Sequence, residues 1–227
     1  MGHVSSPKTP GTPGTYPLDP LDHWEAFLLG GEHVGFLHRH LADGVLTTRT
    51  AFQPRPEQRR QNPMFPERFM SQCQVHFTAD GSTWTELAYE DSASAQRVRI
   101  ERERADVDAD VVPSYADGLL ARAVAEAGEP LTFRRLEEGS PLQGPVRVIE
   151  ATLAPTAVES APGGDGAEAR RIELRSEGQV LGIHWVRDDA LTGSDWGAGS
   201  VSVPVDSQEA ALHGLHEDLA TFARMPR

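Results

Sequence analysis

Phe69-Met70-Ser71-Gln72-Cys73-Gln74-Val75-His76-Phe77 puts Phe69, Cys73, Val75 and Phe77 on one face of an extended chain and Gln72, Gln74 and His76 on the other. Successive side chains of a strand point to opposite faces, so this alternation describes a half-buried β-strand. Asp80-Gly81 follows as a turn, and the extended pattern resumes over residues 83–89. The whole is an antiparallel hairpin.

The pattern repeats on both sides of this hairpin. Residues 23–29 and 33–41 read as strands joined across Gly30-Gly31, and Asp43-Gly44 turns the chain into a third strand over 45–52. Residues 53–66 are rich in proline and polar groups, an excursion loop too long for a hairpin. A sixth strand centres on Val98 and Ile100. Further strands are expected over 131–136, 146–153, 172–175, 180–186 and 201–205, with Glu177-Gly178 as another turn. The Gly/Ala/Pro/Asp stretch 155–168 reads as a long flexible hairpin connection, because it lacks the strand-and-helix flanks of a phosphate-binding loop.

Two helices interrupt this series. Pro113-Ser114 opens the first, with Ser114 as the capping residue and Asp117 suited to the positive helix end. Leu119, Leu120, Ala123, Val124 and Ala127 form its apolar stripe, and Gly128 ends it. Asp206, with Glu209 three residues on, opens the second, which carries Ala211, Leu212, Leu215, Leu219 and Phe222.

About ten or eleven strands, spaced about 4.8 Å apart, would make a flat sheet roughly 50 Å wide, which two helices cannot cover. The expected fold is therefore α+β and mainly β. It is a large curved antiparallel sheet, a half-barrel, with two helices packed in or across its concave face. Residues 1–20, with Pro7, Pro10, Pro13, Pro17 and Pro20, read as a disordered leader, and 21–225 as one β-rich domain. The leader lacks the apolar core of a secretory signal, so a cytoplasmic protein is expected unless a signal has been removed.

Composition excludes several activities. Lys8 is the only lysine, so the folded part can form no Schiff base and no P-loop. Cys73 is the only cysteine, which rules out an internal disulfide or a Cys-x-x-Cys pair and reads as a small buried hydrophobe. A net charge of −13 opposes binding to nucleic acid or an anionic membrane. Two local runs of arginine remain. Arg97, Arg99, Arg102 and Arg104 interleave with Glu101 and Glu103 and read as a self-paired, solvated face. Arg55, Arg59, Arg60 and Arg68 surround the proline-rich loop and could meet an acidic protein partner.

The strand series, the entry Val111-Val112-Pro113-Ser114, the return through Leu131-Thr132-Phe133 and the late hairpin around Gly178 resemble the lipoprotein-carrier-like (LolA/LolB-like) half-barrel group of bacterial proteins. The resemblance spans roughly residues 24–205. It implies an incomplete antiparallel barrel capped by helices, with an apolar cavity for acyl chains or other hydrophobic ligands. The export signal and lipobox cysteine of that group are missing here.

Candidate chemistry is sparse. His38 and His40 share one strand face with Phe36, and His213 and His216 share one side of the last helix. Either pair could give two imidazoles to zinc with an Asp or Glu completing the shell, or be ordinary histidines bonded to neighbours. No Gly-x-Ser-x-Gly occurs. Glu86 and Glu90 share a face with Trp84 and Ala88, the kind of carboxylate pair that acid/base chemistry needs, and equally a solvent-facing pair. Trp196 sits in a glycine-flanked loop, as a lid or as an anchor.

Aromatic side chains on separate strands would converge if the sheet curls, into either a packed core or a ligand-lined cavity. The reading that follows is a noncatalytic domain without cofactor or assigned metal, binding a hydrophobic small molecule, lipid or acyl chain. Phe52, Phe69, Trp84 and Trp185 would line its cavity. The alternatives are a scaffold with a filled core that uses the Arg55–Arg68 loop, and a metal-dependent hydrolase built on the histidines.

Overall fold

The structure is a computed structural model, and it describes residues 16–63, 65–92, 97–137, 147–163 and 166–226. The described residues form one sheet of 13 strands, curved and unclosed, in the order β6-β5-β4-β3-β2-β1-β13-β12-β11-β10-β9-β8-β7. The first half comprises β1 (Leu21–Leu29), β2 (Glu32–Ala42), β3 (Val45–Phe52), β4 (Phe69–Phe77), β5 (Trp84–Asp91) and β6 (Arg97–Glu101). The second comprises β7 (Val111–Pro113), β8 (Leu131–Glu137), β9 (Arg147–Ser160), β10 (Glu168–Ser176), β11 (Gln179–Arg187), β12 (Ala190–Asp195) and β13 (Ser200–Pro204). The two meanders join where β1 pairs with β13. All the pairings are antiparallel except β7 with β8.

The tight turns match their residues. Asp43-Gly44 and Glu177-Gly178 have positive φ at both positions (51°, 72° and 49°, 78°), the geometry whose twist suits a two-residue hairpin. At Asp80-Gly81 the turn is wider, and the Asp80 carboxylate accepts from the hydroxyls of Thr78 and Ser82 and from the Ser82 amide.

Cross-strand register explains the core. Leu41, Leu46, Val75, Leu87 and Ile100 face one another in a single row across β2 to β6, and all are buried. Helix α2 (Asp117–Ala127) lies over this face, and Leu119, Leu120 and Val124 join the same cluster as Leu153, Ile172 and Leu174 of the second half. One core thus links both ends of the sheet across its concave side. Cys73 belongs to it, 1% exposed.

Several sequence expectations need correction. The helix expected to start at Ser114 begins with a 3-10 turn, Ser114–Ala116, and its α-helical part opens at Asp117 with Ala116 as the N-cap. The expected final helix is two short ones, α3 (Gln208–Leu212) and α4 (Glu217–Arg224), separated where Gly214 adopts positive φ. They pack on β1, β2 and β3 from the opposite, convex face, where Phe36, Ala51, Ala211 and Leu219 form a second cluster. The last two strands of the sequence reading are three, because residues 190–195 pair as β12. The excursion loop contains the short helix α1 (Pro56–Gln61).

Trp84 does not share a face with Glu86. The β4–β5 register slips so that His76 faces Glu86 while Phe77 faces Trp84, a bulge at Thr85 that turns the indole into the core. Of the expected leader, residues 1–15 lie outside the described residues, and Tyr16 is buried against Phe77 with ring centroids 4.5 Å apart. Val146, Gly164 and Asp165 also lie outside the described residues.

Candidate functional site

The concave face of the first half changes character along its strands. Beyond the leucine row comes a row of His23, Arg39, Thr48, Cys73 and Tyr89, then Glu25, Leu37, Thr50 and Ser71, then Phe27, Gly35, Phe52 and Phe69. Gly35 is needed in that last row, because a Cβ there would lie 2.0 Å from the Ala51 carbonyl oxygen. Without a side chain at Gly35, Phe27 and Phe52 stack over it at 5.0 Å, and Phe69 continues the aromatic row 5.2 Å from Phe52.

A cavity of about 430 Å³ lies over these rows, between β1–β3 and the segment that leads into α2. Its inner wall is buried: Phe27, Leu37, Arg39, Thr48 and Asp117. Thr50, Ser114, Tyr115, Arg135, Glu137 and Trp196 are partly exposed and form its outer rim. A second hollow of about 190 Å³, bounded by His23, Leu46 and Leu119, shares Arg39 and Tyr115 with the first.

Charge is concentrated on the polar side of the cavity. Arg39 is paired with Glu25, which is itself 1% exposed and accepts from the Ser202 hydroxyl. Trp196 donates from its indole to Ser202 Oγ at 3.2 Å, and the Arg39 guanidinium lies 5.7 Å from the Trp196 ring centroid. Across the cavity Arg135 donates to Asp117 Oδ2 from Nε and Nη2, both at 3.2 Å, and also pairs with Glu137. The carboxylate expected to serve the helix end thus holds an arginine of β8. Three carboxylates face two arginines, so these five groups leave one net negative charge and neither guanidinium is without an acidic partner. The Thr48 hydroxyl is buried without a hydrogen-bond partner.

Burial shifts the titrating groups here. Desolvation lowers Arg39 to about 10 against the favourable charge of Asp117. Desolvation, then the charge of Arg39, lowers His23 to about 4. His184 is also lowered to about 4 by burial, which outweighs nearby Asp117. His184 Nδ1 lies 3.0 Å from Ser194 Oγ, a pair that looks like a nucleophile and base. Both residues are 0% exposed, however, so no substrate can reach the hydroxyl, and the pair is structural.

Of the residues expected to line a cavity, Phe52 and Phe69 lie in the aromatic row beside it, and Phe52 stacks on the wall residue Phe27. Trp84 is 0% exposed in the core and donates to the Val111 carbonyl at 2.6 Å. Trp185 lies in another environment, donating to Glu159 of β9 at 3.1 Å. Trp196 both anchors its loop and forms part of the rim.

Among the basic residues of the loop, Arg55 pairs with Glu32 at 3.2 Å and Arg68 pairs with Asp218. Arg59 is half-buried, and Arg60 is exposed. The arginines of β6 pair with β5, Arg97 with Glu90 and Arg99 with Glu86, and those just beyond it pair within the run, Arg102 with Glu103 and Arg104 with Glu101. His213 and His216 flank Gly214 at separate helix ends and do not share one helix side.

Sequence reading passed over Arg39, Glu25 and Arg135. Arg39 could have been found, because it stands between Leu37 and Leu41 on a strand whose other face carries Phe36 and His38. An arginine at an inward position between two leucines signals a buried charge. Arg135, Asp117 and Trp196 come from distant segments, and only the curl of the sheet brings them to Arg39.

Set against protein-family models, curated proteins and solved structures, the chain matches none of them.

Proposed function

We propose that this protein is a small-molecule-binding domain that seats an amphipathic ligand in the concave face of its half-barrel. The observation that carries the reading is the cavity of about 430 Å³ with one aromatic and aliphatic side and one charged, hydrogen-bonding side. Small-molecule pockets run roughly 300–1,000 Å³ and combine apolar walls with a few fixed polar groups. Phe27, Leu37 and Trp196 would take the apolar part of the ligand. Arg39, Arg135 and the hydroxyls of Thr50, Ser114 and Tyr115 would take its polar end. Because the arginines already face three carboxylates, the polar end that suits this wall is uncharged, an alcohol, amide or ester rather than a free acid. The described lining holds no histidine, cysteine or lysine to act as base or nucleophile beside these hydroxyls, which favours binding over turnover.

Native mass spectrometry of the purified protein should show a co-purified small molecule, and the uncharged dye Nile red should bind and be displaced by long-chain alcohols. Thr50→Trp places an indole at the rim and should abolish both signals while leaving the fold intact by circular dichroism. A protein that is always free of adduct and takes up no dye, or a Thr50→Trp variant that binds as well as the parent, refutes the reading.

A further inference from the structure

The convex face of β1 and β2 carries a second cluster that the cavity does not use. Asp22 faces His40 across the β1–β2 pair, and Trp24 faces His38, so Asp22, His38 and His40 project from the same side of the sheet. One ligand atom from each residue lies within 4.8 Å of the other two. The His38 Nε2–H donates to Asp22 Oδ1 at 2.6 Å, and His40 Nδ1 lies 3.9 Å from the same oxygen. We propose that these three side chains form a divalent-metal site, with zinc the ion that suits them best.

The chemistry of the donor set leads to this assignment. Two imidazole nitrogens and one carboxylate oxygen are the ligands zinc takes at about 2.0–2.2 Å, with water in the remaining position. Replacing the shared proton between His38 and Asp22 by a cation requires that pair to open and His40 to close in, because donors at about 2.0–2.1 Å from a tetrahedral ion stand roughly 3.3 Å apart. Two of the ligands come from one strand, two residues apart, so the pleat fixes their direction without help from a loop. His38 is held further, since the Trp24 ring stacks on it at 3.8 Å with a 12° tilt. His38 is buried, His40 is half-buried and Asp22 is exposed, with 54% of its side chain open. An ion would therefore enter from the Asp22 side and keep its free coordination position toward solvent.

Nearby charge has to be compatible with a cation. Arg49 faces His38 across the β2–β3 pair. Its guanidinium is drawn away, donating to Gln72 Oε1 at 2.6 Å and to the carbonyl oxygens of Met225 and Pro226 at 2.9 and 2.7 Å. Thr47, opposite His40, adds only a hydroxyl. The site lies on the other side of the sheet from Arg39 and the cavity, so it stands independently of the ligand-binding reading.

The test uses full-length protein without an affinity tag, stripped with chelator. Titration with zinc alone should show one saturable site, and Co2+ in its place should give the visible absorption of a four-coordinate ion. A zinc concentration about a hundredfold above Kd should raise the melting temperature by about 5 °C or more. Asp22→Asn and His40→Ala both change half-buried or exposed groups that the fold can spare. Each should weaken binding by about tenfold or more, and the cobalt bands should disappear. No saturable binding up to millimolar zinc, or binding and cobalt spectrum unchanged in the Asp22→Asn/His40→Ala double variant, overturns the proposal.

Discussion

Arg39 and Arg49 are both almost fully buried, on neighbouring strands, but on opposite faces of the sheet, and they are held in opposite ways. On the convex face Arg49 donates to Gln72 and to the carbonyls of Ala223, Met225 and Pro226, with the Phe222 ring 5.8 Å away. It ties the end of the chain to the sheet, and its geometry is that of a finished structural clamp. On the concave face Arg39 is held by a buried carboxylate, Glu25, and borders a cavity on one side and a second hollow on the other. A protein that only needed to close its core would fill that space with leucine, as it does one row further along at Leu41 and Leu46. The difference shows that buried charge alone does not mark a site. The open volume beside it does.

The largest test of this contrast is substitution of each arginine by methionine. Arg39→Met leaves the Glu25 carboxylate buried without its counter-ion and should cost about 3–5 kcal/mol in urea unfolding. Arg49→Met leaves the Gln72 amide oxygen and the carbonyls near the chain end without their donor and should cost about 1–3 kcal/mol. If Arg49→Met proves the more damaging, the two faces have been assigned the wrong way round.

A second test is pH. His184 has a folded value of about 4, below its ordinary 6.5 because burial opposes the charged form. The unfolded chain therefore binds more protons between these values, so stability is complete above about pH 6.5 and falls as the pH drops toward 4. The loss is on the order of 3 kcal/mol for His184. His23, also lowered to about 4, acts in the same direction. Melting temperature followed from pH 7.5 to 4 should show this fall, and a flat profile would mean that the concave face is far wetter than its packing implies.

Gly35→Ala comes next, since its Cβ would be driven against the Ala51 carbonyl and disturb the stacked Phe27 and Phe52. Unfolding should show a loss of about 1–3 kcal/mol, with weaker Nile red binding, because the aromatic side of the cavity shifts. Smallest of all, Glu86→Gln breaks only the solvated pair with Arg99 and should leave the unfolding midpoint where it is. A clear drop there would show that the β5–β6 edge carries more of the fold than its exposure suggests.

The sequence by itself determined most of the strands, several of their turns and the half-barrel, but it missed β12 and read the outer part of β9 as a flexible connection. Alternation in residues 69–77, the turn pairs Asp43-Gly44 and Glu177-Gly178, and the excess of strand over helix are local properties, legible because a strand has a period of two and a wide sheet must curl. The self-pairing of this arginine run was legible in part: Arg102 and Arg104 pair with the interleaved Glu103 and Glu101, whereas Arg97 and Arg99 reach Glu90 and Glu86 on β5. Tertiary structure decided which face each helix covers, that Trp84 turns inward at a bulge, and that Asp117 meets Arg135. It also decided that Asp22 stands beside His38 and His40, a neighbour set by β1–β2 register and not by spacing along the chain. Cavity walls are assembled from β1, β2, β3, β8 and the segments beside α2 and β12, far apart in sequence. No periodicity encodes which of them meet, because that depends on how tightly the sheet bends around α2.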